Sequence, residues 1–169
     1  QISDDSLVYG LAAQGFRQGG TNSAGFGSLI VVPEGFKADS LWNYEIGWKN
    51  AWLDRRLILN LTAYAIRWSN IQSKDHTSSG FTYIGNAGTG STDGLEAELT
   101  ARPIQGLELQ GSIAIQNAKL TADQPLAVTV PPDLDAGRDG DWIPNTRRFT
   151  VSGSAQYTKP MWSNVNGFF

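Results

Sequence analysis

Glu96 and Glu98 stand two residues apart in Gly94-Leu95-Glu96-Ala97-Glu98-Leu99, a spacing that puts two carboxylates on one side of an extended strand. A carboxylate pair is the machinery of glycoside hydrolysis. Here the row continues into Thr100 and Arg102, so the pair reads as part of a polar lumen lining and not as an acid with its base. His76 is the only histidine, set in a solvated Ser/Thr/Asp-rich connection. The chain has no cysteine, which excludes disulfides and thiolate metal sites and leaves no support for a zinc site or a nucleophilic triad. Gly85, Gly88 and Gly90 loosely suggest a phosphate loop, but they lie between strands with no helix to follow. The one metal candidate is the acidic run Asp133 to Asp141, where Asp133, Asp135, Asp139 and Asp141 offer hard oxygen ligands for calcium. That run lacks the EF-hand order and its terminal Glu, and Arg138 partly neutralises it, so an ordinary solvated loop is the alternative. No catalytic residue and no cofactor site emerges, and the chain is not read as an enzyme.

The elements that carry these residues alternate strictly. Leu107, Leu109, Gly111, Ile113 and Ile115 fall on one face of a strand, and Glu108, Gln110, Ser112, Ala114 and Gln116 on the other. Leu95, Ala97, Leu99 and Ala101 oppose Glu96, Glu98, Thr100 and Arg102 in the same way, and Phe149, Val151, Gly153, Ala155 and Tyr157 oppose Thr150 through Thr158. Six strands are predicted, near 6–17, 41–53, 56–69, 92–103, 107–118 and 148–158. Short connections at 53–56, 103–106 and 158–160 alternate with long ones at 18–40, 70–91 and 119–147, rich in Gly, Ser, Thr, Asn, Asp and Pro. The fold class expected is all-β: an antiparallel up-and-down meander of about 6–8 strands, with short turns at one end and long loops at the other.

Register is predicted as well. Across the hairpin at Asp54-Arg55, Trp48 faces Leu61, Ile46 faces Ala63, Tyr44 faces Ala65 and Trp42 faces Arg67, while Lys49 meets Asn60, Gly47 meets Thr62 and Glu45 meets Tyr64. A slip of one residue would mix the faces. The hairpin at Pro103 requires an odd-length turn, with Gly106 as its positive-φ residue. Trp42 and Trp52 lie ten residues apart, about 23 Å along a membrane normal for a strand tilted near 45°. Trp42, Trp48 and Trp52 are therefore expected to form a lipid-facing girdle, the alternative being the core of a soluble sandwich. Trp68 falls on the polar side of its strand and joins the girdle only if a bulge intervenes.

Composition agrees with a membrane barrel. Only 17% of residues are charged, against a usual level of about 25%, while glycine and aromatic residues are abundant. The net charge of −3 gives no broad attraction to nucleic acid. No stretch approaches the roughly 20 apolar residues of a membrane helix, which leaves barrel strands open. The first residues show no basic segment followed by an apolar one, so the chain is expected to be a mature segment or an excised piece.

The block Trp42-Asn43-Tyr44-Glu45-Ile46-Gly47-Trp48-Lys49, the turn Trp52-Leu53-Asp54-Arg55-Arg56-Leu57, the strand Leu59-Asn60-Leu61-Thr62-Ala63-Tyr64 and the closing Asn70-Ile71-Gln72 resemble TonB-dependent outer-membrane receptors. Val8-Tyr9 through Gly15-Phe16-Arg17-Gln18-Gly19-Gly20, Asn86-Ala87-Gly88 through Gly94-Leu95-Glu96-Ala97-Glu98-Leu99, and Ile143-Pro144-Asn145 through Arg148-Phe149 are similar to flanking blocks of that family in order and spacing. The resemblance implies a segment of a 22-stranded transmembrane β-barrel, with residues 1–169 a partial barrel domain from its C-terminal half. No plug domain and no TonB box are expected here, nor a complete alternating final strand after Asn164. It further implies an outer-membrane location in a Gram-negative bacterium. The parent would import a ferric siderophore or a similar scarce nutrient, with the plug, the TonB complex and outer-membrane lipid as partners. Glu45, Lys49, Asn60, Glu96, Glu98, Arg102, Glu108 and Gln110 would line the lumen and the substrate path. The competing expectations are a complete small outer-membrane barrel and a soluble lipocalin- or sandwich-like binding module. The isolated piece is expected to oligomerise through its apolar face or its sheet edges.

Overall fold

The computed structural model describes residues 4–23, 32–76, 82–124, 137–162 and 165–168. Its strands in chain order are β1 (Ser6–Arg17), β2 (Gly20–Thr21), β3 (Gly35–Phe36), β4 (Asp39–Trp52), β5 (Leu57–Ser69), β6 (Gln72–His76), β7 (Thr82–Asn86), β8 (Gly90–Ala101), β9 (Leu107–Leu120), β10 (Phe149–Trp162) and β11 (Val165–Phe168). Seven of them form one antiparallel sheet in the order β1-β4-β5-β8-β9-β10-β11, an up-and-down meander once the loop strands are set aside. All six predicted long strands are present, and their apolar alternation is what selects the strand over any other conformation.

The predicted register holds without a slip. Trp48 pairs with Leu61, Ile46 with Ala63, Tyr44 with Ala65, Trp42 with Arg67, Lys49 with Asn60, Gly47 with Thr62 and Glu45 with Tyr64. The tight turn uses Leu53, Asp54 and Arg55 at φ of 56°, 53° and 63°, closed by Arg56 N donating to Leu53 O at 3.1 Å. The next turn has Gly106 at φ 83°, as its odd length requires.

Two features differ from expectation. The segment 158–160 is not a turn: β10 runs on to Trp162 and pairs Thr158 with Phe168, Lys159 with Gly167 and Pro160 with Asn166. Proline is tolerated there because the pairing of β10 with β9 has already ended at Tyr157 and Leu107, so no ladder on that side needs its missing N–H. The long connections are also not featureless. The first holds the β2/β3 hairpin, the second β6/β7, and the third returns to the sheet through a bridge between Lys119 and Trp142.

Side chains line up across the sheet in rows. One apolar row reads Trp52, Leu57, Ala101, Leu109, Ala155, and another reads Val8, Trp48, Leu61, Ala97, Ile113, Val151. The apolar zone ends at Trp42 on β4, yet on β8, β9 and β10 it ends at Leu95, Ile115 and Phe149, which share the row of Ile46, four residues short of Trp42. Beyond it on the same face come Arg67, Asp93, Asn117 and Lys119. At the opposite end the short turns slide the same way, the first just past Trp52 and the second beyond Leu107, while β10 runs on to Trp162. A band of constant height on tilted, staggered strands has this diagonal outline, as in the wall of a barrel.

Burial is concentrated at the long-loop end. Ile46 and Leu95, which share a row of the apolar face, are 60% and 61% exposed, whereas Ala118 and Leu120 are 0% and 4% exposed. Tyr83 and Ala87 are buried with them, and Ile71 and Ile143 close over Gly90 so tightly that an added Cβ there would stand 3.0–3.1 Å from their methyl groups. The small enclosed core thus sits where the loops fold over the polar face, not within the sheet.

Candidate functional site on the polar face

The residues singled out for the lumen do share one face. Leu7, Lys49, Asn60, Glu98, Ser112 and Ser152 form one row across it, and Tyr9, Gly47, Thr62, Glu96, Ala114 and Thr150 the next. Asn60 Nδ2 donates to Glu98 Oε2 at 3.2 Å, and the hydroxyls of Ser112 and Ser152 lie 2.8 Å apart. Glu45 accepts the Tyr9 hydroxyl at 2.5 Å, and Lys49 Nζ stands 5.6 Å from the centre of the same ring. Toward the short turns, Arg102 Nε and Gln110 Nε2 both donate to the Glu108 carboxylate, at 2.8 and 2.7 Å. Arg102 and Glu108 border a shallow recess of about 560 Å³ together with Arg56, Gln156 and Thr158. The polar face is thus a cross-linked surface of carboxylates, amides and hydroxyls with Lys49 and Arg102 interspersed. It can bind polar partners by hydrogen bonds, and among the described residues it aligns no nucleophile with a base.

Two tyrosines organise it. Tyr9 on β1 lies across Gly47 of β4 to reach Glu45, and Tyr64 on β5 lies across Gly94 of β8 to donate to Gln116 Oε1 on β9 at 3.1 Å. A Cβ on either glycine would fall inside the ring that covers it. The register alone pairs Tyr9 with Gly47 and Tyr64 with Gly94. A bulky aromatic opposite a bare backbone was the sequence signal for both.

A third arrangement was missed by sequence reasoning. Asp39, at the long-loop end of β4 and three residues beyond Trp42, is 2% exposed. Its carboxylate accepts from Arg17 N at 3.1 Å, from the Arg17 guanidinium, and from Trp68 Nε1 at 3.0 Å. The Arg17 charge also lies 5.5 Å from the Trp68 ring centre. The Arg17 guanidinium holds the Asp39 carboxyl down at about 2, against burial that pushes it up, and the Trp68 N–H adds to the lowering. Trp68 therefore belongs to the polar face, with no bulge in β5 to turn it toward the girdle. The signal was the pairing of Arg17 with Asp39, opposite charges facing each other across β1 and β4.

Trp42, Trp48 and Trp52 occupy the apolar face together. Trp42 stacks on Tyr44 at 5.8 Å, Trp48 meets Trp52 edge-on at 5.9 Å, and Trp48 Nε1 donates to Ser6 Oγ at 3.2 Å. Of the calcium candidates, Asp133 and Asp135 lie outside the described residues. Asp141 Oδ2 accepts Arg138 N at 2.7 Å, so that carboxylate serves its own turn, while the main-chain N–H of Asp139 donates to Asp123 Oδ1 at 2.8 Å. Among the described residues no three acidic or histidine groups gather to hold a metal. His76 ends β6 opposite Thr82.

The sequence profile described as TonB dependent receptor-like, beta-barrel, matches residues 1–169. Among solved structures, the chain is similar to the ferric yersiniabactin uptake receptor FyuA from Yersinia pestis, with a TM-score of 0.68 and 19% identity. The match covers 94% of this chain and 21% of that one, so the chain spans about a fifth of the receptor it resembles. The chain belongs to the TonB-dependent receptor β-barrel family, a family of outer-membrane receptors and transporters of Gram-negative bacteria.

Proposed function

We propose that this chain forms part of the wall of an outer-membrane TonB-dependent receptor that imports a ferric siderophore or a similar scarce nutrient. In this reading residues 1–169 are a partial barrel domain. The apolar face with Trp42, Trp48 and Trp52 meets lipid, and Glu45, Lys49, Asn60, Glu96, Glu98, Arg102, Glu108 and Gln110 line the lumen. There they contact the plug or the passing substrate, with energy from the TonB complex. The three long connections stand outside the cell and take part in ligand capture.

The observation that carries the orientation is the diagonal apolar band, which slides across the strands in step with the short turns. A soluble sandwich would cover its apolar face, whereas Ile46 and Leu95 stand open. A complete small barrel would pair its two edge strands, and β1 and β11 lie at opposite edges of the sheet. Support for the ligand class comes from the family and from the name of the similar receptor, which takes up a ferric siderophore.

Three experiments test this. In the full-length receptor, a fluorophore on Leu95→Cys or Ile113→Cys is expected to be quenched by lipid-borne quenchers, and one on Glu96→Cys or Ser112→Cys by aqueous quenchers; the reverse pattern sinks the orientation. Uptake of radiolabelled ferric siderophore by cells expressing the full gene product, with and without TonB, tests the transport reading. The isolated chain is expected to need detergent or to oligomerise through its apolar face and edges, and a stable aqueous monomer would count against the lipid face.

A further inference from the structure

The hairpins that continue the sheet at its long-loop end belong to two separate two-stranded sheets, β2/β3 and β6/β7, so no strand ladder joins them. They are joined by side-chain amides instead. Asn22, beside β2, donates from Nδ2 to Ile84 O at 2.9 Å and accepts Ile84 N at Oδ1, also at 2.9 Å. Its other Nδ2 hydrogen goes to Pro33 O of its own hairpin at 2.9 Å. Asn86, at the end of β7, does the converse. It accepts Lys37 N at Oδ1 at 2.7 Å and donates from Nδ2 to Lys37 O at 3.1 Å, and to Asn70 O at 2.8 Å. Each asparagine thus copies with its side chain the paired N–H and C=O bonds that a neighbouring strand residue would supply.

The arrangement is reciprocal: the first hairpin grips the main chain of the second at Ile84, and the second grips the first at Lys37. Gln72 Nε2 adds a bridge to Gln18 O at 2.9 Å and Lys37 O at 3.1 Å. At the base, Asp39 pins Arg17 and Trp68, the ends of the strands from which the two hairpins spring. We propose that the stems 18–23 with 32–38 and 70–76 with 82–89 open and close as one unit, coupled by the Asn22–Ile84 and Asn86–Lys37 clamps. A ligand that orders either stem then orders both. Side-chain clamps suit this task because they can part without disturbing the ladder within either hairpin. The coupling does not depend on which ligand the receptor takes, so it stands or falls separately from the siderophore reading.

Hydrogen–deuterium exchange on the full-length receptor in detergent micelles tests it, with correct folding checked by the heat-modifiable gel shift of the barrel. Asn22→Ala is expected to speed exchange about tenfold throughout 82–86 and 33–38, since two or three hydrogen bonds of modest net worth are lost. Asn86→Ala should do the same in 20–22 as well as 35–38. Asn22→Asp keeps the acceptor for Ile84 N and loses the donor to Ile84 O, and is expected to give the same spread with a smaller rise. Acceleration confined to the amides of Ile84 and Lys37, which lose their acceptors directly, or no change at all, would overturn the coupling.

Discussion

The body of the sheet and its long-loop end are held together by different means. In the body, the six long strands pair with one another in unbroken register and the two faces keep to their chemistry between the row of Trp52 and the row of Ile46. Order there is collective: no single side chain sets it, and apolar residues stay widely exposed on one face. At the end, the pairing stops and individual polar side chains take over. Asp39 collects Arg17 and Trp68, and Asn22, Gln72 and Asn86 tie the hairpins. In the proposed orientation the wall can lean on repetition, because its partner on one side is a uniform fluid. A mouth has no such partner and must specify its shape contact by contact.

The largest expected effect separates the two faces of the body. Ala97→Arg is expected to destabilise the receptor in phospholipid bilayers by about 2–4 kcal/mol, the range for a cation near the midplane of a barrel's lipid face. Glu96→Arg, one residue along on the polar face, should cost less than about 1 kcal/mol. Urea unfolding in vesicles measures both, and equal costs would remove the distinction between the faces.

The next effect belongs to the end. Asp39→Ala leaves Arg17 and Trp68 without their shared acceptor and is expected to cost about 2–3 kcal/mol, the scale of hydrogen bonds to a charged group. The same carboxylate gives a pH signature, since the strand end that carries it projects beyond Trp42 and the apolar band. Its pKa is lowered from 3.8 to about 2 by folding. The stability it contributes is therefore fully present above the unfolded value and is lost as pH falls through about 2. Asp39→Asn should flatten the acid limb of the unfolding profile between about pH 4 and 2, and an unchanged limb would show that the node carries no linked proton.

Legibility in the sequence followed the same division. Alternation and turn residues disclosed the six long strands, the Asp54 hairpin register and Gly106, because a period of two and a one-residue slip rule are properties of every strand. They also put Glu45, Lys49, Asn60, Glu96, Glu98, Arg102, Glu108 and Gln110 on one face. They misread 158–160, since proline marks a turn only where a ladder needs its N–H. They passed over Asn22, Asn86 and Asp39 for a plainer reason. An asparagine in a Gly/Ser-rich loop has the same composition whether it is solvated or grips a main chain 62 residues away. Such contacts depend on where the loops return, which the local pattern does not record.

Smaller effects sharpen the view of the body by asking where repetition is interrupted on purpose. Gly94→Ala places a methyl group where the Tyr64 ring now lies, so the ring must move and its hydrogen bond to Gln116 is lost. A cost of about 1–2 kcal/mol is expected from the overpacking and the broken bond.

Gly15, on β1, is the control, because nothing stands within 4 Å of the Cβ it would gain. A glycine within a strand loses more conformational entropy on folding than alanine does, by roughly 0.5–1 kcal/mol. Gly15→Ala is therefore expected to stabilise the receptor slightly, by about 0.5 kcal/mol, opposite in sign to Gly94→Ala. The two substitutions share their chemistry and their setting in a long strand and differ only in whether a tyrosine covers the site. Urea midpoints measured side by side decide the matter. If both variants lose stability equally, glycine is required by the strands themselves, and the tyrosine-over-glycine contacts contribute nothing specific to the wall.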